Sequence, residues 1–168
     1  MFNFFRNTVY VRIKPDRMSV LHVESGKEYS DVPALAIERK DGKSSVVAVG
    51  RNAETRAGLS NVTVVNGFRH PRTLLADFTV AEQTLKYFLK MVLPRSFLAP
   101  SPVVVIHPQA VLDGGLTQIE IRAFAELGTG AGARKVFVWE GPELSKEELR
   151  ELRFSRTGGQ LLHPQAAG

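Results

Sequence analysis

A chain of 168 residues with 43% apolar content suits one compact domain with an ordinary core and is too short for two full domains. Its 22 lysines and arginines against 17 acids give a formal charge of +5, and the cations are scattered, which argues against a dedicated nucleic-acid binder. There is no cysteine, so a disulfide framework, a thiol nucleophile and a cysteine-ligated zinc are excluded.

The opening "MFNFFRN" has no long apolar stretch before its first charge, and no apolar run approaches the ~20 residues of a membrane span, so a soluble protein is expected. "VYVRIKPDRMSVLHV" then reads as two short strands around a tight turn crowded with Arg12, Lys14, Pro15, Asp16 and Arg17. Ala34 to Glu38 and Ser45 to Val49 are strand-like runs joined by the turn Lys40-Asp41-Gly42-Lys43, which extends the hairpin into a meander of about four strands. "RNAETRAG" is a short polar helix with Gly58 as its C-cap, and "NVTVVNG" is a further brief β-rich run.

The clearest helix is "ADFTVAEQTLKYFLKMVLP". Asp77 or Thr79 can cap it, Val80, Thr84, Leu85, Phe88 and Val92 recur at three- and four-residue spacing, and Pro94 follows its end. "PVVVIHP" has the unbroken apolar character of a strand covered on both faces. Ile119, Ala123, Phe124 and Leu127 set a second helical period that stops in glycines before the buried strand "RKVFVWE". A last helix, "LSKEELRELRF", carries Ser145 and Glu148 in capping-box positions, and its leucines with Phe154 are expected to dock on the domain. The tail from residue 155 to 168 contains Gly and Pro and is expected to be loosely ordered. A meander followed by alternating helices and strands describes a ribonuclease-H-like or actin-like α/β subdomain, a mixed five-stranded sheet with flanking helices.

Several polar residues have ordinary explanations. Asp77 and Glu82 suit an N-cap and a first helical turn, and Arg12 at the first-strand position speaks against a two-metal nuclease. His22, His70, His107 and His163 lack any paired metal-ligand spacing, so no metal site is expected. Asp113-Gly114-Gly115 is a turn signal, and Ser44, Ser45 and Ser101 lack a nucleophile-elbow pattern.

Three stretches, "KSSVVAVGRNAETRAG", "NGFRHPRTLLADFTVAEQTLKYFLKMV" and "VVVIHP…LTQIEIRAFAELGTGAGARKVFVWEGP", resemble in order and spacing the first large subdomain of the MreB family of bacterial actin homologues. The third is the most specific. Thr117-Gln118-Ile119-Glu120-Ile121-Arg122-Ala123, Gly132-Ala133-Arg134 and Glu140-Gly141-Pro142 stand where the family has Thr-x-Val-Glu-Arg-Arg-Ala, Gly-Ala-Arg and Glu-Glu-Pro. The resemblance covers residues 8–142, leaving an aromatic and cationic segment at 1–7, a helix at 143–154 and the tail at 155–168.

What the resemblance implies is modified by its departures. The family's first hairpin carries Asp-Leu-Gly-Thr, whose acid organises a metal and whose amides hold phosphates, and here Arg12-Ile13-Lys14 falls on those positions. An arginine cannot ligate magnesium as a carboxylate does, and Lys14-Pro15 loses both the glycine conformation and one backbone donor. Glu120 falls where the family carries the carboxylate that orients the attacking water, though a solvated helix residue is the plainer reading of it.

The expectation is a truncated actin-family domain without a resident cofactor, acting as a cytoplasmic scaffold in cell-shape or envelope organisation, with a cytoskeletal or envelope protein, or itself, as partner. The alternative is half of an Mg-ATP-dependent ATPase completed by dimerisation or a partner chain, with Arg12 and Lys14 serving phosphate. A basic nucleic-acid-binding scaffold is the third and weakest. Phe2, Phe4, Phe5 and Arg6 resemble the membrane-associating start found in that family, and a clasp packed on the domain explains them equally well.

Overall fold

The computed structural model describes residues 6–110, 113–155 and 157–165. Strand β1 (Thr8–Lys14) sits inside a six-stranded sheet, with β2 (Arg17–His22) and β3 (Glu28–Asp31) on one side. On its other side lie β7 (Val103–Pro108), β8 (Lys135–Glu140) and β9 (Gln160–His163), giving the order β3-β2-β1-β7-β8-β9. The β1–β7 and β7–β8 pairings are parallel, and the outer pairings are antiparallel.

Both faces of this sheet are covered, and the two-residue strand period sorts side chains between two interiors. Val9, Val11 and Ile13 of β1, Val104 and Ile106 of β7, and Val136 and Val138 of β8 enter the larger one. There they meet α2 (Phe78–Val92) and α3 (Gln118–Gly130), through Leu85, Phe88, Leu89, Phe124 and Leu127. Each such fully buried large side chain contributes roughly 1.5–3 kcal/mol of transfer free energy. Tyr10, Val103, Val105, Phe137 and Trp139 turn to the opposite face, where Leu144 and Leu149 of the α4 segment (Lys146–Glu151) close over them. The expected docking of the last helix on its own domain is therefore what the structure has.

Helix boundaries follow side-chain caps. Asp77 accepts from the Val80 amide to start α2, while Thr117 with Glu120 and Ser145 with Glu148 form full capping boxes for α3 and α4. Close approach of α3 to β8 requires Gly128, because a Cβ there would stand 2.6 Å from a Val136 methyl.

Five expectations need correction. The four-strand meander is split: β4 (Ala34–Lys40) and β5 (Lys43–Val49) leave the main sheet and join β6 (Val62–Asn66) in a separate three-stranded sheet, order β5-β4-β6. The Asp31 carboxylate marks the departure, accepting from the amides of Val32 (2.7 Å) and Arg51 (3.0 Å). The tail is not loose throughout, because Gln160–His163 pairs with β8 and sends Leu161 and Leu162 to opposite interiors. With β3 and β9 included, the main sheet has six strands where five were expected. Finally, α1 (Arg51–Glu54) ends at Thr55, short of Gly58, and Ile119 is 82% exposed on the first turn of α3 instead of lying in the core.

Candidate functional site

In open α/β sheets, ligands gather outside the carboxyl ends of the parallel strands. Here the ends of β1, β7 and β8 open into a cavity of about 380 Å³ lined by Lys14, His107, Gln109, Glu140, Gly141 and Glu143, among others. Lys14 is among the residues that line it. Among the described residues it has no carboxylate within ion-pair distance.

Arg12 behaves differently. The sequence places it at a solvated turn, but the strand pairing sets it two residues inside β1, opposite Ser19 on β2 and His107 on β7. Its side chain is 24% exposed and spans two carboxylates, Glu28 at 2.7 Å and Glu143 at 3.1 Å. Glu143 also accepts from the Gln109 amide at 3.3 Å. These donors, Gln109 first and then Arg12, hold the Glu143 carboxyl below its ordinary value. Arg12 is thus a tie between β3 and the segment that leads to α4. Neither acid was legible as its partner, because they lie 16 and 131 residues away. A same-face position with buried Tyr10 was the available signal: an arginine there must find an acid.

Beneath the tie lies a buried polar pair. The Tyr10 hydroxyl is 2.5 Å from Nδ1 of His107, their rings stack at 5.9 Å, and the Leu144 amide donates to the same hydroxyl at 3.3 Å. Burial raises the Tyr10 hydroxyl to about 12, and burial lowers His107, partly offset by the Gly141 backbone and Glu143. A neutral phenol donating to a neutral imidazole satisfies both. His107 is accordingly a structural histidine.

Glu120 does not line this cavity. Its carboxylate accepts from the Thr117 amide (2.8 Å), the Thr117 hydroxyl (3.0 Å) and the Thr73 hydroxyl (2.9 Å), so its lone pairs serve the start of α3. Burial pushes its pKa up, but the Thr117 amide and the two hydroxyls outweigh it and hold the carboxyl below the ordinary value. Arg6 donates to the Arg150 carbonyl at 3.0 Å, and Phe2, Phe4 and Phe5 lie outside the described residues.

The residues present do not suit a magnesium nucleotide. The strand-end position that would need a carboxylate holds a guanidinium already tied to two acids, and Pro15 removes a backbone donor from the turn. Of the residues lining the cavity, Glu140 and Glu143 are acidic and Lys14 is the one cation, so a polyphosphate would meet net repulsion. Among the described residues two buried side-chain groups lack a hydrogen-bond partner, the Thr8 hydroxyl and Arg12 Nε, and these two isolated groups make no cradle.

Comparison with known proteins places this geometry. The protein-family model described as MreB/Mbl protein matches residues 17–145. The cell shape-determining protein MreB of Pasteurella multocida is 38% identical over 111 residues, and that of Escherichia coli K12 is 37% identical over 113. Each match covers 66% of this chain and 30% or 31% of the relative, so the chain spans about a third of the length of the curated relatives it matches. Among solved structures, MreB5 of Spiroplasma citri bound to AMPPNP superposes with a TM-score of 0.62 at 18% identity, covering 79% of this chain and 38% of that one. A non-polymerising MamK mutant bound to AMPPNP gives 0.57 at 15% identity, covering 79% of this chain and 40% of that one. The structural likenesses give an actin-like fold, and the family match over most of the chain's length gives the kinship: this chain belongs to the MreB/Mbl family.

Proposed function

We propose that this chain is a non-hydrolysing MreB-family module that works by binding, as a cytoplasmic scaffold in cell-shape or envelope organisation. The observation that supports the reading is Arg12 held between Glu28 and Glu143 at the strand end where the family carries its metal-organising acid. Glu120, engaged by three hydroxyl and amide donors, has little left to offer an attacking water. No cofactor is assigned. The partner is a cytoskeletal or envelope protein, or a second copy of the chain; nucleic acid is not expected.

Peripheral contact with the membrane belongs to the same reading. No helix among the described residues is long and apolar enough to cross a membrane. Phe97 and Leu98, however, are 94% and 79% exposed in the turn after α2, flanked by Arg95, and a tip of that kind suits partial insertion. Measuring phosphate release from Mg-ATP tests the proposal: release no faster than a protein-free blank supports it. Saturable release that disappears in Glu120→Ala contradicts it.

A second reading, an ATPase half completed by another chain, draws on the cavity itself, which is open to solvent and edged by Lys14, a cation with no carboxylate within ion-pair distance among the described residues. It requires turnover that rises with the square of protein concentration, or on addition of the partner, and falls in Lys14→Glu.

A further inference from the structure

The turn between β2 and β3 brings a serine to a histidine that two further groups orient. His22 ends β2 with its side chain buried, and Ser25 is exposed three residues later. Two backbone bonds of 2.8 Å close the turn, from the His22 amide to the Lys27 carbonyl and from the Gly26 amide to the His22 carbonyl. Gly26 takes φ 75° there, which costs a glycine no strain.

The partners of His22 fix its tautomer. Asn7 Nδ2 donates to the Pro100 carbonyl at 2.8 Å, so its Oδ1 is the atom facing His22 Nε2 at 2.9 Å. Glu24 stands 3.5 Å from the same nitrogen, its carboxylate held by the Thr8 amide at 2.8 Å. Two acceptors therefore keep the ring proton on Nε2. Nδ1 is left with its lone pair, which accepts from the Ser25 hydroxyl at 2.7 Å and, more weakly, from the Ser25 amide at 3.3 Å. Burial lowers the pKa of His22, partly offset by Glu24, so the imidazole is neutral near pH 7 and free to take a proton. The Lys27 amide donates to Ser25 Oγ at 3.2 Å and supports charge that develops on that oxygen.

His22 and Ser25 both line a cavity of about 460 Å³, within the range of small-ligand sites. The end of α2 supplies apolar wall through Met91 and Pro94 and cations through Lys90 and Arg95, and Lys27 adds a third cation from the turn. Among the described residues none of these three has a carboxylate within ion-pair distance, and the acid in the wall, Glu28, is paired with Arg12 at 2.7 Å. Closing a turn needs the Ser25–His22 contact alone. It does not need Nε2 locked by Asn7 and backed by a carboxylate, which is the arrangement of an activated nucleophile, recognised by geometry and roles and not by chain order.

We propose that Ser25 is the nucleophile, and His22 its general base, of an acyl-transfer site for small esters that carry a carboxylate. Ser25 Oγ adds to the ester carbonyl as its proton passes to His22 Nδ1. The bond from the acyl carbon to the alcohol oxygen breaks, the alcohol leaves with that proton, and the acyl group stays on Ser25. Water then adds to the acyl carbon and gives a proton to Nδ1; the acid departs as Ser25 Oγ recovers the proton. Asn7 and Glu24 are positioning residues, which hold the ring and stabilise its protonated form. Lys27, Lys90 and Arg95 receive the substrate carboxylate. The site does not involve the Arg12 cavity or a nucleotide, and it stands apart from the scaffold reading.

The test treats the full chain with 4-nitrophenyl acetate, with the 4-nitrophenyl half-ester of succinic acid, and with a fluorophosphonate label located by peptide mass spectrometry. The expected result is label on Ser25 and nitrophenolate release that favours the half-ester and falls roughly hundred-fold in S25A and in H22Q. K27A/K90A should lose the preference for the half-ester and keep the acetate reaction. Because His22 is buried and its replacement disturbs packing, S25C gives a second measure in a chain that has no other thiol. Its alkylation by iodoacetamide at pH 7 should run roughly ten-fold faster than that of K43C, at the exposed start of β5, because His22 draws off the thiol proton. Release unchanged in S25A, label absent from Ser25, or S25C alkylated no faster than K43C overturns the proposal. A half-ester preference that survives K27A/K90A overturns the assignment of the carboxylate to these cations.

Discussion

Arg12 holds Glu28 at 2.7 Å across the hairpin sheet and Glu143 at 3.1 Å beyond the end of β8, so one guanidinium joins two segments that the chain separates by more than a hundred residues. Where the family's resemblance calls for an acid and a ligand, this chain supplies its own cation and its own carboxylates.

Replacing Arg12 with Met should therefore loosen the fold. Both carboxylates are about half exposed or more, which limits each pair to a few tenths to about 1 kcal/mol, and the expected total is about 1–2 kcal/mol. Urea unfolding checks the magnitude. A double-mutant cycle with Glu143→Gln should give a coupling energy of about 0.5 kcal/mol or more, and strict additivity would mean that the contact contributes nothing.

The pH profile follows from groups with displaced pKa values. Burial lowers His22 and His107 below 6.5, so the unfolded chain takes up their protons first. Their contribution is complete above pH 6.5 and is lost as pH falls through their folded values. Glu120 and Glu143, held below 4.5, add a second loss that begins as pH falls through 4.5. Tyr10 and Tyr29 are raised above 10.0, mainly by burial, so stability falls again as pH rises beyond 10. Melting temperature against pH should thus plateau between about 6.5 and 10. A curve still climbing as pH drops from 6.5 to 5 would contradict the neutral Tyr10–His107 pair.

Strand β9 covers the lone tryptophan. Trp139 is 2% exposed, pairs with Leu161 and donates its indole N–H to the Pro142 carbonyl at 2.8 Å. Deleting residues 159–168 should red-shift Trp139 emission and cost about 2–4 kcal/mol through the lost leucines and the opened edge of β8. Unchanged emission and stability would mean that the strand is dispensable.

The start of α3 separates a structural role for Glu120 from a chemical one. Thr117→Ala removes the side-chain acceptor for the Glu120 amide and should cost about 1 kcal/mol. Glu120→Gln should cost less, because glutamine also serves at the third position of a capping box. Thermal melts of the two variants check the order, and a larger loss in the glutamine variant would point to a need for the charge itself.

Much of this fold was legible because periodicity and caps are local. The α2 stripe from Val80 to Val92, the Ser145–Glu148 box and the unbroken apolar run of β7 each state their own geometry within a few residues. Strand β3 escaped because "EYSD" alternates no apolar residues, its place being set by pairing with β2. Strand β9 escaped because four residues between glycines and a proline look like tail until Leu161 and Leu162 are seen in two different cores. At the candidate site, the missing acid and the intruding arginine were readable, whereas Glu28 and Glu143 were not, since partner choice over long sequence distance is a property of the folded sheet.

The most direct measurement is a calorimetric titration of the purified chain with Mg-ATP and Mg-ADP, paired with the shift in melting temperature. The account predicts no binding heat and no stabilisation at millimolar nucleotide, since Arg12 is already paired with Glu28 and Glu143 and the cavity wall presents Glu140 and Glu143 to a phosphate. A saturable isotherm with a matching rise in melting temperature, weakened by Lys14→Glu, would contradict it and restore this cavity as a working nucleotide site.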